Sequence, residues 1–274
     1  MKDIMTKRHL LNIIFRNNRL DDYKEVIEFA QSKGYYCCSV YDYYDMLILH
    51  PRPMKKVLIL RHDIDYNGTG TRKMYEIEKA HGVKATYFFR DRTIDKVIIK
   101  ELINDGFDVG YHYETIANMV ARGEIKEKSD IDINKVRQHF LNELEKFEKI
   151  ISYRVKTCAA HGAPENMKIG VSNNFIFEGI DAKTLNIEVE AYDSRIINSL
   201  NRYVMDCGIM VNYGYAYKGY NIFEAIQHDD NKICFLTHPN HWDMTPYERL
   251  RKLIRMMIGK GVYHSDRKFK RIAV

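Results

Sequence analysis

The sequence of 274 residues predicts an α/β fold: a distorted or incomplete (β/α) barrel of about seven parallel strands, with a small helical N-terminal lead-in and with a doubly wound open sheet as the alternative, since periodicity does not reveal closure. Three observations predict it. Short apolar runs alternate with amphipathic stretches closed by glycine, which is the pattern of strands joined by crossover helices. The run Leu58-Ile59-Leu60 stops abruptly in Arg61-His62-Asp63-Ile64-Asp65. The same change from apolar to ionisable residues recurs at Val109-Gly110-Tyr111-His112-Tyr113-Glu114 and at Cys234-Phe235-Leu236-Thr237-His238.

The elements follow in order. Residues 1–53 form the lead-in, with a helix from Asp21 through Tyr23, Ile27 and Ala30 to Lys33-Gly34, a β-like run from Tyr36 to Val40, and His50-Pro51-Arg52-Pro53 as punctuation. The barrel takes residues 54–274. A strand from Val57 to His62 leads to a helix from Thr71 to His81 with Met74, Ile77 and Ala80 on one face, ended by Gly82. Ala85 to Phe89 is the next strand. Thr93 caps a helix carrying Ile94, Val97, Ile98, Leu102 and Ile103, and Phe107 to His112 is the third strand. Val136, Phe140, Leu144, Phe147 and Ile151 line the longest helix, from about Asp132 to Ile151. Further strands are expected at Val155–Ala160, Ile187–Tyr192, Ile209–Tyr213 and Ile233–His238. A last helix has a capping box at Thr245-Pro246-Tyr247-Glu248 and ends at Gly259.

Composition narrows the classes of function. The net charge of +6 is scattered, and the one dense basic stretch, Arg267–Arg271, reads as a solvated tail, so no nucleic acid is expected as a partner. Five cysteines, odd in number and without metal-type spacing, suit a reducing compartment. No run is long and apolar enough to span a membrane, and the start of the sequence lacks the pattern of a signal peptide. The expected location is cytoplasmic.

In parallel α/β folds the C-terminal strand ends build the active site. Here those ends offer Asp63 and Asp65, Arg90 and Asp91, His112 and Glu114, His161, Asp193, Tyr213 and His238. Bare carboxylates are costly to bury unless paired or metal-bound, and Asp with neutral His suits zinc or a similar divalent ion.

With these residues in view, the chain resembles the polysaccharide deacetylases of the NodB-homology type, carbohydrate esterase family four. The likeness is to a divergent branch with an Arg-His-Asp-x-Asp first motif. It covers roughly Val57 to Trp242 and rests on Arg61–Asp65, Ala85–Phe89, Gly110–Thr115 and Leu236-Thr237-His238-Pro239. The resemblance implies metal-dependent removal of an N- or O-linked acetyl group from a sugar or glycan. The metal would be zinc first, with cobalt or nickel as alternatives. It maps the general base to Asp63 and a ligand to Asp65, roles that the intervening Ile64 leaves interchangeable. His112 matches the first metal histidine, and His238 the general acid, which Asp193 could orient.

Two departures stand out. The family's second metal histidine falls on Ile116, and its Arg-x-Pro motif is replaced by His161-Gly162-Ala163-Pro164. Glu114, on the same face of an extended strand as His112, could stand in as a ligand, and His161 could be a ligand or bind substrate. Otherwise the site has been lost. Arg90 and Trp242 are further candidates for substrate contact. Two rival readings stay open: a sugar-binding barrel without turnover, and a metallohydrolase of non-sugar C–N bonds in cyclic amides or ureides.

Overall fold

The computed structural model describes residues 19–53, 55–206, 215–216, 221–245 and 247. Among the described residues nine strands make one sheet: β1 (Tyr36–Cys38), β2 (Val57–Ile64), β3 (Thr86–Phe89), β4 (Asp108–Tyr113), β5 (Thr157–Ala160), β6 (Val189–Glu190), β7 (Arg202–Met205), β8 (Tyr215–Ala216) and β9 (Lys232–Thr237). Seven run parallel in the order β6-β5-β4-β3-β2-β9-β7, and β8 pairs antiparallel at the β7 edge. The sheet curls into a partial (β/α) barrel, as the sequence predicts.

The lead-in supplies a strand as well as a helix. β1 pairs parallel with the first half of β2 (Tyr36 to Cys38 against Val57 to Ile59), and β3 takes the second half from Arg61 to Ile64. The helix Leu20–Ser32 buries Tyr23, Val26, Ile27 and Ala30 in the same core as Leu58 and Leu60.

The period of two along β2 divides the chemistry between two faces. Leu58, Leu60 and Ile64 join the core under the helices, where fully buried His62 also sits. Val57 and Ile59 face a second core with Cys38, Tyr43, Phe88, Ala159 and Cys234, and Arg61 and Asp63 share their parity. On β4 the residue before His112 on its face is Gly110. A Cβ there would overlap the Phe88 ring and lie 2.6 Å from Thr157 Oγ1, so glycine makes room for that ring.

Several boundaries differ from the sequence reading. The cap of the helix Lys96–Asn104 is Asp95, which accepts from the amides of Val97 and Ile98, and not Thr93. Thr93 instead donates to the Ile64 carbonyl at 2.8 Å. The long helix runs Ile133–Ile151 with Asp132 as its cap. The strand β7 is an addition to the strands that the sequence predicts. The expected strand Ile209–Tyr213 and most of the expected last helix lie outside the described residues. No helix among the described residues is long and apolar enough to cross a membrane.

Candidate active site

The C-terminal ends of the parallel strands bring Asp63, Asp65, His112, Glu114, His161 and His238 together, residues spread over 176 positions of sequence. Asp65, just beyond β2, lies at the centre. Its Oδ1 is 3.5 Å from His112 Nε2 and 3.4 Å from His161 Nε2, and its Oδ2 is 3.7 Å from His238 Nε2. Asp65, His112 and His161 offer donor atoms all within 4.8 Å of one another. Asp65 Oδ1 is buried without a hydrogen-bond partner. Two ligands on a tetrahedral ion at bonds of about 2.0–2.1 Å lie about 3.3–3.4 Å apart, close to the spacings seen here.

The tautomer of His112 agrees with that use. Its Nδ1 donates to the Ala159 carbonyl at 2.9 Å, so a neutral ring turns the lone pair of Nε2 towards Asp63 Oδ2 (3.4 Å) and Asp65. A lone pair facing two carboxylates is relieved by a proton on Nε2 or by a cation held between them. Among the described residues, Asp63, Asp65, Glu114 and Asp206 face two guanidiniums, Arg61 and Arg90, and the imidazoles of His112, His161, His238 and His241. Burial raises the carboxyl pKa of Asp65, but contacts with His112 and His161 outweigh it and hold the group well below the usual carboxylate range.

Asp63 is gripped from its own strand. Arg61 Nε and a terminal nitrogen each donate to one carboxylate oxygen at 2.9 Å. The same fully buried guanidinium donates to the Tyr203 and Tyr192 hydroxyls at 3.1 Å and lies 4.5 Å from the Tyr192 ring centre. Burial opposes ionisation of Asp63, yet Arg61 and His112 keep its pKa lowered.

His238 is oriented by Asp206, at the end of β7, through a 2.5 Å contact between Nδ1 and Oδ1. Asp206 Oδ2 accepts from the His238 amide at 2.8 Å and from Trp242 Nε1 at 2.9 Å. Burial lowers the imidazole pKa, but Asp206, with Asp63 and Asp65 behind it, raises it to about 9. His241 Nδ1 lies 3.3 Å from the same Asp206 oxygen, and Asp206, His238 and His241 form a second donor cluster.

Three expected residues are placed otherwise than the sequence suggested. Asp193 caps the short helix Ser194–Ile197 and pairs with Arg195, so it is Asp206 that orients His238. Trp242 is buried with its indole on Asp206, which leaves no face for a sugar. Arg90 is 3% exposed and bound to Glu114 rather than open to substrate. Sequence reasoning missed Asp206, although Tyr203-Val204-Met205-Asp206 repeats the apolar run ending in a carboxylate that marks β2.

Beneath Tyr192, buried Glu190 accepts from the amides of Tyr192 (2.6 Å) and Ala160 (3.1 Å). Burial pushes its pKa from 4.5 to about 7 against those bonds and against Arg61. Below pH 4.5 the folded and unfolded chains both hold this proton. Between 4.5 and about 7 only the folded chain holds it, so ionisation favours the unfolded chain, and stability should fall as pH rises through that window. Each pH unit inside the window costs about 1.4 kcal/mol, and the decline levels off above it. Urea midpoints measured from about pH 4.5 to about pH 8 should show this decline, and Glu190→Gln should flatten it even while lowering overall stability.

No protein-family model matches the chain, and no curated protein matches it. Among solved structures it is similar to the Streptococcus pyogenes deacetylase PplD in complex with acetate (14% identity, 90% of this chain and 92% of that one, TM-score 0.45). It is also similar to BA3943, a CE4 family pseudoenzyme from Bacillus anthracis (16%, 77% and 63%, TM-score 0.43). A third is a family 4 acetyl xylan esterase from Clostridium thermocellum in complex with a cobalt ion (16%, 75% and 85%, TM-score 0.33). At these identities the likeness is one of fold.

Proposed function

We propose that the chain is a metal-dependent hydrolase that removes an N- or O-linked acetyl group from a sugar or glycan. The observation that carries this reading is the buried, unpartnered Asp65 Oδ1, faced at 3.4–3.5 Å by two imidazole nitrogens. Asp65, His112 and His161 would hold the ion. Such an ion would polarise the acyl carbonyl and lower the pKa of a water from ~15.7 towards ~7.

The protein's own groups supply the rest. Asp63, kept ionised by Arg61, accepts the proton of the attacking water. His238, its Nδ1 fixed by Asp206, presents Nε2 to the opposite side of Asp65 and protonates the leaving amine or alcohol. A cation at Asp65 would lower the imidazole pKa somewhat, while Asp206, the main cause of its rise, would stay in place. Tyr66, 65% exposed next to Asp65, and partly exposed Tyr192 offer aromatic faces to the apolar side of a sugar ring. Ile116 is buried in the core, and the donor it lacks comes from His161 instead, which supports turnover over a barrel that only binds sugar.

The test is acetate release from N- and O-acetylated sugars by protein stripped with a chelator and reloaded with zinc, cobalt or nickel. Release should depend on the ion, and Asp206→Asn should lower kcat by about 10²–10³-fold through misplacement of the acid. Equal release without the ion, or none from any acetylated sugar with the ion bound, would contradict the reading.

A further inference from the structure

We propose that Arg90 and Glu114 are a positioning pair that aims the His161 imidazole at Asp65, with Glu114 acting through His161 and not as a ligand. The inference deepens the metal-dependent reading above and rests on it.

The carboxylate of Glu114 is already engaged. Arg90 Nε donates to its Oε2 at 2.8 Å, and a terminal nitrogen of the same guanidinium binds Oε1. That Oε1 also lies 2.9 Å from His161 Nδ1. The ring N–H is not aligned on this line, so the two atoms are in close polar contact without a well-formed hydrogen bond. Glu114 precedes the helix Thr115–Ala121 but makes no side-chain cap to it, and it turns instead towards Arg90.

Arg90 is itself anchored beside Asp65. Its amide donates to Thr93 Oγ1 at 2.9 Å, and Thr93 donates to the carbonyl of Ile64, the neighbour of Asp65. A second guanidinium nitrogen reaches within 3.9 Å of Asp65 Oδ1. On the other side, the His161 backbone is pinned. Its amide donates to the Tyr113 carbonyl at 3.0 Å, and its carbonyl accepts from Asn173 Nδ2 at 2.6 Å.

Rotation of the imidazole is then the freedom left to His161, and a carboxylate on Nδ1 restricts it while Nε2 faces Asp65. A carboxylate on the far nitrogen also raises the basicity of a ligating imidazole. A carboxylate neutralised by a bidentate arginine is, by the same reasoning, a poor direct donor to a cation. The pair thus explains how a histidine from the β5 end can serve where the β4 end offers only His112.

The experiment is a titration of the chelator-stripped full chain with zinc and with cobalt, comparing wild type, Glu114→Gln and Arg90→Lys. Affinity is read by competition with a chromophoric chelator, and coordination by the visible absorption of bound cobalt. Glu114→Gln should still bind one ion with the wild-type cobalt band shape, at an affinity about 10–100-fold weaker. Arg90→Lys keeps the charge but loses the fork, and should weaken binding by a smaller factor in the same direction. A changed cobalt spectrum in Glu114→Gln would make Glu114 a ligand and overturn the proposal. Affinities within twofold of wild type in both variants would overturn it as well, while leaving the metal reading intact. A wild type that binds neither ion would remove the metal reading itself, and this pair with it. Should Glu114→Gln fail to fold, Arg90→Lys decides by the same criteria.

Discussion

Asp63→Asn is expected to lower kcat for acetate release by about 10²–10⁴-fold, the range a general base contributes, while ion binding stays close to wild type. The substitution keeps the shape of the side chain but removes the charge that Arg61 holds with two 2.9 Å bonds. Arg61 is 1% exposed, and its other partners are hydroxyls and aromatic faces, none of which supplies a counter-charge. Stability should therefore drop too, by about 3–5 kcal/mol, as when one partner of a buried ion pair is removed. Steady-state kinetics with urea unfolding separates the two effects, because a folded variant with normal ion content and lost turnover isolates the base. Asp65→Asn should do the opposite and lose the ion first. If Asp63→Asn loses the ion and Asp65→Asn keeps it, the two roles are exchanged.

The second large effect is on stability and lies on the outer face of β2. Glu78, His62, Tyr23, Tyr87 and Thr237 are all fully buried. Glu78 Oε1 takes the Tyr23 hydroxyl and lies 2.6 Å from His62 Nε2, and its Oε2 accepts from Tyr87 at 2.6 Å. His62 Nδ1 is in turn 2.6 Å from Thr237 Oγ1. One carboxylate thus ties the lead-in helix to β2 and β3, and through His62 to β9. Glu78→Ala removes the acceptor shared by three buried groups, leaving Tyr87 unpaired and Tyr23 and His62 only their 3.3 Å contact with each other, and should cost about 3–5 kcal/mol. Against a total of about 5–15 kcal/mol that is a large share. Urea unfolding with an unchanged slope should show it as a lowered midpoint. A loss under about 1 kcal/mol would mean that the network is satisfied in some other way.

The strands around the site were legible because each is a short apolar run ending in ionisable residues, a signal that survives without knowledge of partners. This placed β2, β3, β4 and β9 within two residues of their observed ends. It also brought out Asp63, Asp65, His112, His161 and His238, which the fold gathers. The partners of those residues were not legible, because pairing is settled in space. Asp193 and Asp206 both follow apolar runs, and only the sheet order, with β7 beside β9, selects Asp206 as the neighbour of His238. Glu78 was hidden for another reason. The helix Thr69–Ala80 buries Thr71, Met74, Tyr75 and Glu78, whereas its apolar residues suggested a face through Met74, Ile77 and Ala80. A charge inside a helical stripe reads as solvated until its acceptors and donors are seen. Arg61 stood in the first motif, but only the inward parity of β2 shows that its guanidinium folds onto Asp63, two residues along the same strand.

The most direct test of the central claim is a crystal structure of the chain soaked with zinc or cobalt, with the ion located by its anomalous scattering. A single ion bound by an Asp65 oxygen and by Nε2 of both His112 and His161 is the predicted result. An ion that avoids Asp65, or no ion at saturating concentration, would contradict the account.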